Sequence, residues 1–337
     1  MVYPDSHGMM IWSELLTVPH RPLNSYDVSE ETVHILHHEV FPYWSKRTFR
    51  EWVRDYYNAP MSQLIDERFA VYFLWKTVAI SHTIPDFPKI LKQGTSGIIS
   101  EVKQQLEQSD LDQNQRATLA GMVLCLEGLS AYSKNLSQQA ALDAQAEANP
   151  KRRSELERLA QICDHIADQP ARTLDEAVNA IWISWVGLHM ENTNAGLSLG
   201  RLDQWLQPYF DADMSKLKTE EERKAYIEYA IELISCLYMR ATDHLPLTPD
   251  LANWYFGGSS SDQAITLGGI TPEGEDAVND MTYIFLKVTE ILTIRDPNVN
   301  ARFKEGVNTD TYLKRLCEVN LITAGTPSIH SDDAVMR

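Results

Sequence analysis

The sequence has few cysteines and no long apolar run. Four cysteines occur in 337 residues, far apart and without a CxxC pair, so neither a disulfide framework nor a zinc ribbon is indicated. No window approaches about 18 uninterrupted apolar residues, as a membrane-spanning helix requires. The first residues lack the basic and apolar segments of a secretory signal. We therefore expect a cytoplasmic protein whose cysteines are reduced and buried.

Positive charge is also scarce. The chain has 30 Lys and Arg against 47 Asp and Glu, which gives a net charge of −17. Nucleic acids and anionic membranes bind positively charged surfaces, so neither partner is expected. An apolar fraction of 44% is ordinary for a globular protein, and the length suffices for a large core.

Most of the chain has the apolar spacing of helices. The predicted early helices are Ser29–Val40, Met61–His82, Leu111–Asn135 and Pro150–Ala167. The Ala-, Gln- and Asn-rich segment 137–149 either continues a helix or forms a flexible connection. Thr173 and Thr219 are each followed three residues later by a glutamate, the pattern of a capping box at a helix start.

Strand-like runs are short and lie late in the chain. They are Gln263–Ile270, Asn298–Phe303 and Pro327–His330, separated by the helical segments Gly274–Leu292 and Thr309–Ala324. Strands that alternate with helices of this length predict βα units in a parallel sheet or barrel.

Polar residues interrupt the chain after the apolar helix Ala177–Met190. Ser198 and Asp203 flank Gly200, so their side chains can converge if the backbone turns there. Arg201 can pair with a carboxylate inside the fold, since a guanidinium offers a fixed fork of donors. The alternative is a turn network that holds the helix beginning near Asp203.

His82 lies where the helix Met61–His82 ends, because Pro85 and Pro88 prevent its continuation. A helix C-terminus favours a cationic imidazole, so His82 is either a ligand contact or a structural residue. Asp86 has the position of a cap for the next helix, where Gly94 and Gly97 would allow close backbone packing.

Other chemistry is not indicated. The loop Gly257–Asp262 is glycine-rich but lacks the lysine of a P-loop. The histidines form no HExxH pattern, so no metal site is expected. No GxSxG elbow accompanies a possible serine nucleophile, although an ordinary hydrolase that uses a histidine remains an alternative.

Several motifs together resemble the glycyl radical enzymes, whose large domain is named after pyruvate formate-lyase. The segment Pro170–Ala177 is similar to the family's "PARTxxEA", and Ser198–Tyr209 is similar to its "SxGRxDQxLxPY". His82–Gly94 resembles "HxxPDYxxxLxxG". Three further matches follow in the family's order: Thr266–Ile270, Pro297–Arg302 and Pro327–Asp332. The resemblance extends from about residue 41 to the end.

The resemblance implies an α/β fold, the helix-rich N-terminal part of a ten-stranded barrel of the pyruvate formate-lyase type. Residues 1–337 would form one incomplete domain, with 1–170 mainly helical and 171–337 containing helices and the first barrel strands. In the family, a radical S-adenosylmethionine activating enzyme installs a glycyl radical, which generates a thiyl radical on a cysteine that attacks the substrate. A homodimer is expected for the full-length enzyme.

The sequence departs from the family in lacking the "GCxE" cysteine loop and the "RVxGY" glycine motif. We expect both, with the C-terminal glycyl radical domain, beyond Arg337. This chain would then contain no catalytic residue, bind no cofactor or metal, and have no activity alone.

The resemblance also suggests the site and the reaction. His82, Ser198 and Asp203 match substrate-contacting positions of the dehydratases, and they suit a small hydroxylated substrate. Elimination with C–O cleavage is therefore favoured. The alternatives are isethionate-type C–S or choline-type C–N cleavage, arylacetate decarboxylation and formate C-acetyltransfer. A catalytically inactive helical interaction protein is an alternative of another class.

Overall fold

The computed structural model describes residues 11–47, 83–191, 196–243, 249–255 and 263–335. The predicted helix Met61–His82, the residue His82 itself and the loop Gly257–Asp262 lie outside these residues. The described helices are α1 Glu30–Ile35, α2 Phe41–Trp44, α3 Phe87–Leu106, α4 Gln113–Ala146, α5 Pro150–Asp168, α6 Leu174–Glu191, α7 Leu202–Met214, α8 Glu220–Asp243, α9 Asp250–Tyr255, α10 Asp280–Leu292, α11 Asp310–Thr323 and α12 Asp332–Val335. The strands are β1 Ala264–Gly268, β2 Asn298–Phe303 and β3 Ser328–Ser331.

Helices α4 and α5 pack against each other over most of their length. Helix α4 continues to Ala146, so most of the segment 137–149 is helical, and Asn149 caps α5 through bonds from the backbone N–H groups of its first turn. The hydroxyls of Ser133 and Ser137 each donate to a carbonyl of α5 over 2.7 Å. These bonds satisfy polar groups that the helix contact would otherwise leave unpaired.

Helix α3 begins at its predicted cap and bends at Gly94. Oδ1 of Asp86 accepts from the backbone N–H of Lys89 over 3.1 Å. Gly94 has a φ of 64°, and a Cβ there would lie 2.5 Å from the carbonyl oxygen of Asp168. Close backbone packing is thus confirmed at Gly94, whereas a Cβ on Gly97 would meet atoms of Gln93 on its own helix.

The three strands form a parallel sheet in the order β1, β2, β3. Helix α10 connects β1 to β2, and helix α11 connects β2 to β3, as the alternating pattern predicted. One face of the sheet belongs to the main core through Ile265, Leu267, Val299 and Ala301, each at most 1% exposed. The fold class is therefore helix-rich α/β with consecutive parallel strands.

The prediction of buried cysteines is wrong for three of the four. Cys163 is buried in α5, but Cys125, Cys236 and Cys317 are exposed on helix surfaces; none of the four forms a disulfide. Helix α4 also exposes the apolar neighbours Met122 and Leu124 of Cys125. Apolar residues surround these cysteines in sequence, but the pattern did not reveal which helix face is buried.

The described helices include none that combines the length and the apolar character required to cross a membrane.

Candidate functional site

The backbone brings two motifs that are distant in sequence into direct contact. The N–H of Ser198 donates to the carbonyl of Thr83 over 3.0 Å. The N–H of Leu199 donates to Ala264 of β1 over 2.8 Å, and Thr266 donates back to Gly200 over 2.9 Å. The segment 198–200 therefore lies between β1 and Thr83, the residue that follows His82 in the chain. Ser198 is half-buried and Thr83 is exposed, so ligand atoms can approach this strip.

Gly200 makes this arrangement possible. Its φ is 71°, in the left-handed region that side chains disfavour. A Cβ at this position would overlap the indole ring of Trp205 and approach Ile84 to 3.0 Å. The glycine thus lets the segment 198–200 pass close to the residues after His82.

Asp203 lies in the first turn of α7 and is 0% exposed. Its Oδ2 accepts from the backbone N–H of Gly268 and from the hydroxyl of Thr282, each over 2.8 Å. Its Oδ1 accepts from the N–H of Gln204 over 2.9 Å. Burial raises the pKa of this carboxyl, while these hydrogen bonds oppose the rise. All of these contacts are with the chain itself, and a direct contact of Asp203 with a substrate stays a prediction.

Arg201 reaches the turn that follows β1. Its Nη2 donates to the carbonyl of Gly268 over 2.5 Å, and its Nη1 donates to that of Ile270 over 3.0 Å. The hydrogen bonds of the guanidinium thus go to backbone carbonyls rather than to the expected carboxylate, while the nearby Asp203 and Asp332 carboxylates favour its positive charge. Both carbonyls belong to the turn after β1, in which Gly268 and Gly269 have φ values of 61° and 76°.

A further side chain, which the sequence analysis did not single out, holds the same turn. Nδ2 of Asn308 donates to the carbonyl of Gly269 over 2.8 Å and to Oδ1 of Asp276 over 2.6 Å. Asn308 itself is 6% exposed. The only sequence signal was a polar residue shortly before the helix Thr309–Ala324, which usually indicates a cap.

Ionic pairs line the carboxyl ends of β2 and β3. Arg302 bonds to Asp332 and Lys304 bonds to Asp333, each over 2.7 Å. The carboxyl edge of a parallel sheet is the common location of ligand sites in α/β folds. This edge is therefore polar and internally charge-paired.

The sheet face opposite the core carries polar side chains in register. Asn300 pairs with Ser328, and Arg302 pairs with His330 on the neighbouring strand. A ring nitrogen of His330, Nε2, lies 3.0 Å from Oδ1 of Asn300. All four residues of β3 are exposed, so this face and edge can receive further chain or ligand.

The four cysteines all lie within helices, and none lies in a loop that follows a strand. Burial raises the pKa of Cys163 to about 11, which disfavours its thiolate. Although Cys236 lies on a helix surface, partial desolvation of its thiol and the nearby Glu232 carboxylate raise its pKa. In the part of the chain that the structure describes, no group of three or more His, Cys, Asp or Glu side chains could hold a metal ion.

Comparisons with known proteins agree with this architecture. The family model described as "Pyruvate formate lyase-like" matches residues 1–337. Isethionate sulfite-lyase of Nitratidesulfovibrio vulgaris is 27% identical, and the alignment covers 100% of this chain and 41% of that protein. The chain thus spans about two fifths of the length of the curated relatives that it matches.

Several solved structures share the fold, and two of them illustrate the match. The glycerol-bound B12-independent glycerol dehydratase of Clostridium butyricum matches with a TM-score of 0.85 and 25% identity, over 99% of this chain and 42% of that one. A glycyl radical enzyme of Archaeoglobus fulgidus matches with a TM-score of 0.79 and 29% identity, again over 99% and 42%. The described sheet is consistent with a partial barrel. The chain belongs to the pyruvate formate lyase-like family. Its relatives in this family are glycyl radical enzymes.

Proposed function

We propose that these residues form one wall of the substrate site in a glycyl radical lyase that acts on a small hydroxylated molecule. Dehydration, with cleavage of a C–O bond, is the favoured reaction. The observation that carries this proposal is the 3.0 Å backbone bond from Ser198 to Thr83. This bond joins the motif that begins at His82 to the motif that begins at Ser198. Thr83 and Ser198 both remain at least partly exposed beside the sheet.

The proposed contacts on this wall are His82, Ser198 and Asp203. A serine hydroxyl and an imidazole can each donate or accept, so together they suit the hydroxyl groups of a polyol. His82 would bond a substrate hydroxyl and give a proton to it, so that the group leaves as water. The carboxylate of Asp203 accepts from the N–H of Gly268 and so fixes the turn after β1. Asp203 would therefore contribute to substrate binding through the position of Gly268.

We further propose that the cysteine and glycine of the radical chemistry come from sequence outside these 337 residues. The glycyl radical, installed by a radical S-adenosylmethionine enzyme, would supply hydrogen abstraction from the substrate. All four cysteines of this chain lie in helices and not in a loop, which supports placing the radical cysteine outside these residues. The 337 residues alone would then be inactive, and the complete enzyme would be a cytoplasmic homodimer.

The isethionate sulfite-lyase relative favours C–S cleavage as a second candidate. A sulfonate needs cationic or donor groups that are not already engaged. At the carboxyl edge, however, Arg201 bonds to two carbonyls, while Arg302 and Lys304 bond to carboxylates. This pairing supports a neutral hydroxylated substrate over an anionic one.

The test is anaerobic expression of the full-length gene product together with its activating enzyme. Electron paramagnetic resonance would detect the glycyl radical, and parallel assays would offer glycerol, propane-1,2-diol and isethionate. We expect a radical signal and an aldehyde product from a diol. Sulfite release from isethionate alone would establish the second candidate. A gene product that has neither radical nor turnover would contradict both and favour an interaction protein.

A further inference from the structure

The N-terminal segment, residues 11–20, packs on the helical turns that follow it through a small core that is separate from the main one. The buried residues of this small core are Ile11, Leu15, Val18, Leu36 and Phe41. The segment also reaches α9, because Oε2 of Glu14 accepts from the backbone N–H of Asp250 over 2.8 Å. A segment held by so few buried side chains opens more readily than an element of the main core.

One hydrogen bond joins this segment to a histidine of the turn Leu36–Val40. Nε1 of Trp12 donates to Nδ1 of His37 over 2.7 Å, and the two rings meet edge to face with their centroids 5.8 Å apart. An indole N–H can only donate, so this bond requires that Nδ1 of His37 carry no proton. The docked segment therefore selects the neutral form of this imidazole.

Protonation of His37 would remove the acceptor, because both ring nitrogens of an imidazolium are donors. Neighbouring imidazoles add to the cost of the charge. The ring centroid of His38 lies 4.6 Å from that of His37, and the centroid of His34 lies 4.5 Å from that of His38. A second proton in this cluster would place like charges side by side.

No nearby carboxylate compensates a charge on His37. Besides the three clustered histidines, the charged or titratable Asp, Glu, His and Arg side chains of residues 11–44 and of α9 are Glu14, His20, Arg21, Asp27, Glu30, Glu31, Glu39 and Asp250. Among the described residues, none of their carboxylates forms an ion pair with His37. The neutral imidazole is thus the form that the docked segment stabilises.

We propose that the bond between Trp12 and His37 is a pH-sensitive contact that holds the N-terminal segment in its docked position. Histidine is the side chain whose charge ordinarily changes between about pH 5 and 8. Because docking excludes a proton from Nδ1, protons bind more readily to the undocked state. Docking is therefore strongest at neutral and higher pH, and it weakens as the pH falls through this range. The bond from α9 to Glu14 weakens with it, since Glu14 belongs to the same segment.

The test is hydrogen–deuterium exchange of the full-length gene product, followed by mass spectrometry of the peptide that contains residues 11–20. Labelling times are scaled for the intrinsic effect of pH on exchange. Between about pH 7.5 and about pH 5.5, opening of the wild-type segment should increase about fivefold, as expected for the loss of one hydrogen bond. Opening that stays constant over this range overturns the proposal.

His37→Asn separates this histidine from the other titratable groups. Oδ1 of an asparagine can accept in place of Nδ1 and gains no proton in this range, so the segment should stay docked at both pH values. His20→Asn is the matched control, because His20 is an exposed histidine of the segment itself, and this variant should keep the wild-type response. A response that persists in His37→Asn would arise from Glu14 or the neighbouring histidines and would overturn the proposal.

Trp12→Phe is a second variant that removes the donor instead of the acceptor. It keeps an aromatic ring near Phe41, whose ring centroid lies 5.4 Å from that of Trp12. Its segment should be loosened equally at both pH values, and a wild-type pH response in this variant would again overturn the proposal. The readout needs no turnover, so it is independent of the radical chemistry and of the proposed function.

Discussion

Thr282 donates its hydroxyl hydrogen bond to Oδ2 of Asp203 over 2.8 Å, and the two residues are 79 positions apart in sequence. The same oxygen accepts from the N–H of Gly268. One carboxylate therefore connects α7, β1 and α10. A fully buried carboxylate that holds three elements is a stability determinant of the wall, whichever group contacts the substrate.

We expect Asp203→Ala to lower the free energy of unfolding by about 3 kcal/mol, because it leaves the Gly268 N–H and the Thr282 hydroxyl buried without this acceptor. Denaturant unfolding of the full-length gene product would measure the loss. Asp211→Ala is the matched control, since Asp211 is an exposed aspartate on the same helix. Equal losses in the two variants would contradict the connecting role of Asp203.

Gly268 has a φ of 61°, and a Cβ there would overlap the hydroxyl oxygen of Tyr312. We expect Gly268→Ala to destabilise the fold by about 3 kcal/mol, from the left-handed backbone and the overlap together. Gly274→Ala is the control: its φ is 88°, and a Cβ there would have no neighbour within 4 Å among the described atoms. It should cost only about 1 kcal/mol. The free energies of unfolding of the two variants, measured with heat or denaturant, separate the cost of the left-handed backbone from the cost of the overlap with Tyr312.

The double variant Gly268→Ala with Tyr312→Phe tests the cause of that loss. The hydroxyl of Tyr312 is buried and has no partner in the described part of the chain, so Phe removes the overlapping atom without breaking a described bond. Part of the stability should return in the double variant. If no stability returns in the double variant, the backbone conformation alone accounts for the effect of Gly268→Ala.

The sequence predicted elements whose signal is local. Strand Asn298–Phe303 has its predicted bounds, and α5 differs from its predicted bounds by one residue, because alternation and a proline at a helix start are read from neighbouring residues. The cap of Asp86 and the reciprocal bonds of Thr219 and Glu222 are confirmed for the same reason.

Long-range partners were not predictable in this way. The carbonyls that Arg201 contacts lie 67 and 69 residues later, in a turn that contains two left-handed glycines, and no local pattern around Arg201 encodes this contact. The family resemblance placed the His82 and Ser198 motifs in one site. The bond between Ser198 and Thr83 shows that the two motifs are in contact, whereas a shared substrate site stays a prediction and His82 lies outside the described residues.

Glu290 links two helices that flank the sheet. Hydrogen bonds from Arg315 and Lys287 lower the pKa of Glu290 to about 2. A lowered pKa in the folded state means that its contribution to stability is present above the unfolded pKa of about 4.3 and is lost as the pH falls towards 2. We expect Arg315→Gln to reduce this acid sensitivity and to cost about 1 kcal/mol at pH 7.

Unfolding in denaturant at several pH values between 7 and 3 would test this. Lys314→Gln removes the same charge from an exposed position on the same helix, and it should leave the acid dependence unchanged. Identical pH profiles for the two variants would show that the lowered pKa of Glu290 does not depend on Arg315.

Ser198 offers the direct test of the proposed substrate wall. If its hydroxyl bonds the substrate, Ser198→Ala should lower kcat/KM of the activated full-length enzyme about tenfold, equivalent to the loss of about 1.4 kcal/mol. Ser215→Ala is the matched control, because the hydroxyl of this exposed serine at the end of α7 bonds only to the carbonyl of Ala212 among the described residues. Radical content measured by electron paramagnetic resonance should be the same in both variants, so that a lower rate reports binding or orientation. Ser198→Thr keeps the hydroxyl and should restore part of the rate, whereas a loss shared equally by the Ala and Thr variants would indicate that Ser198 only packs against the neighbouring backbone.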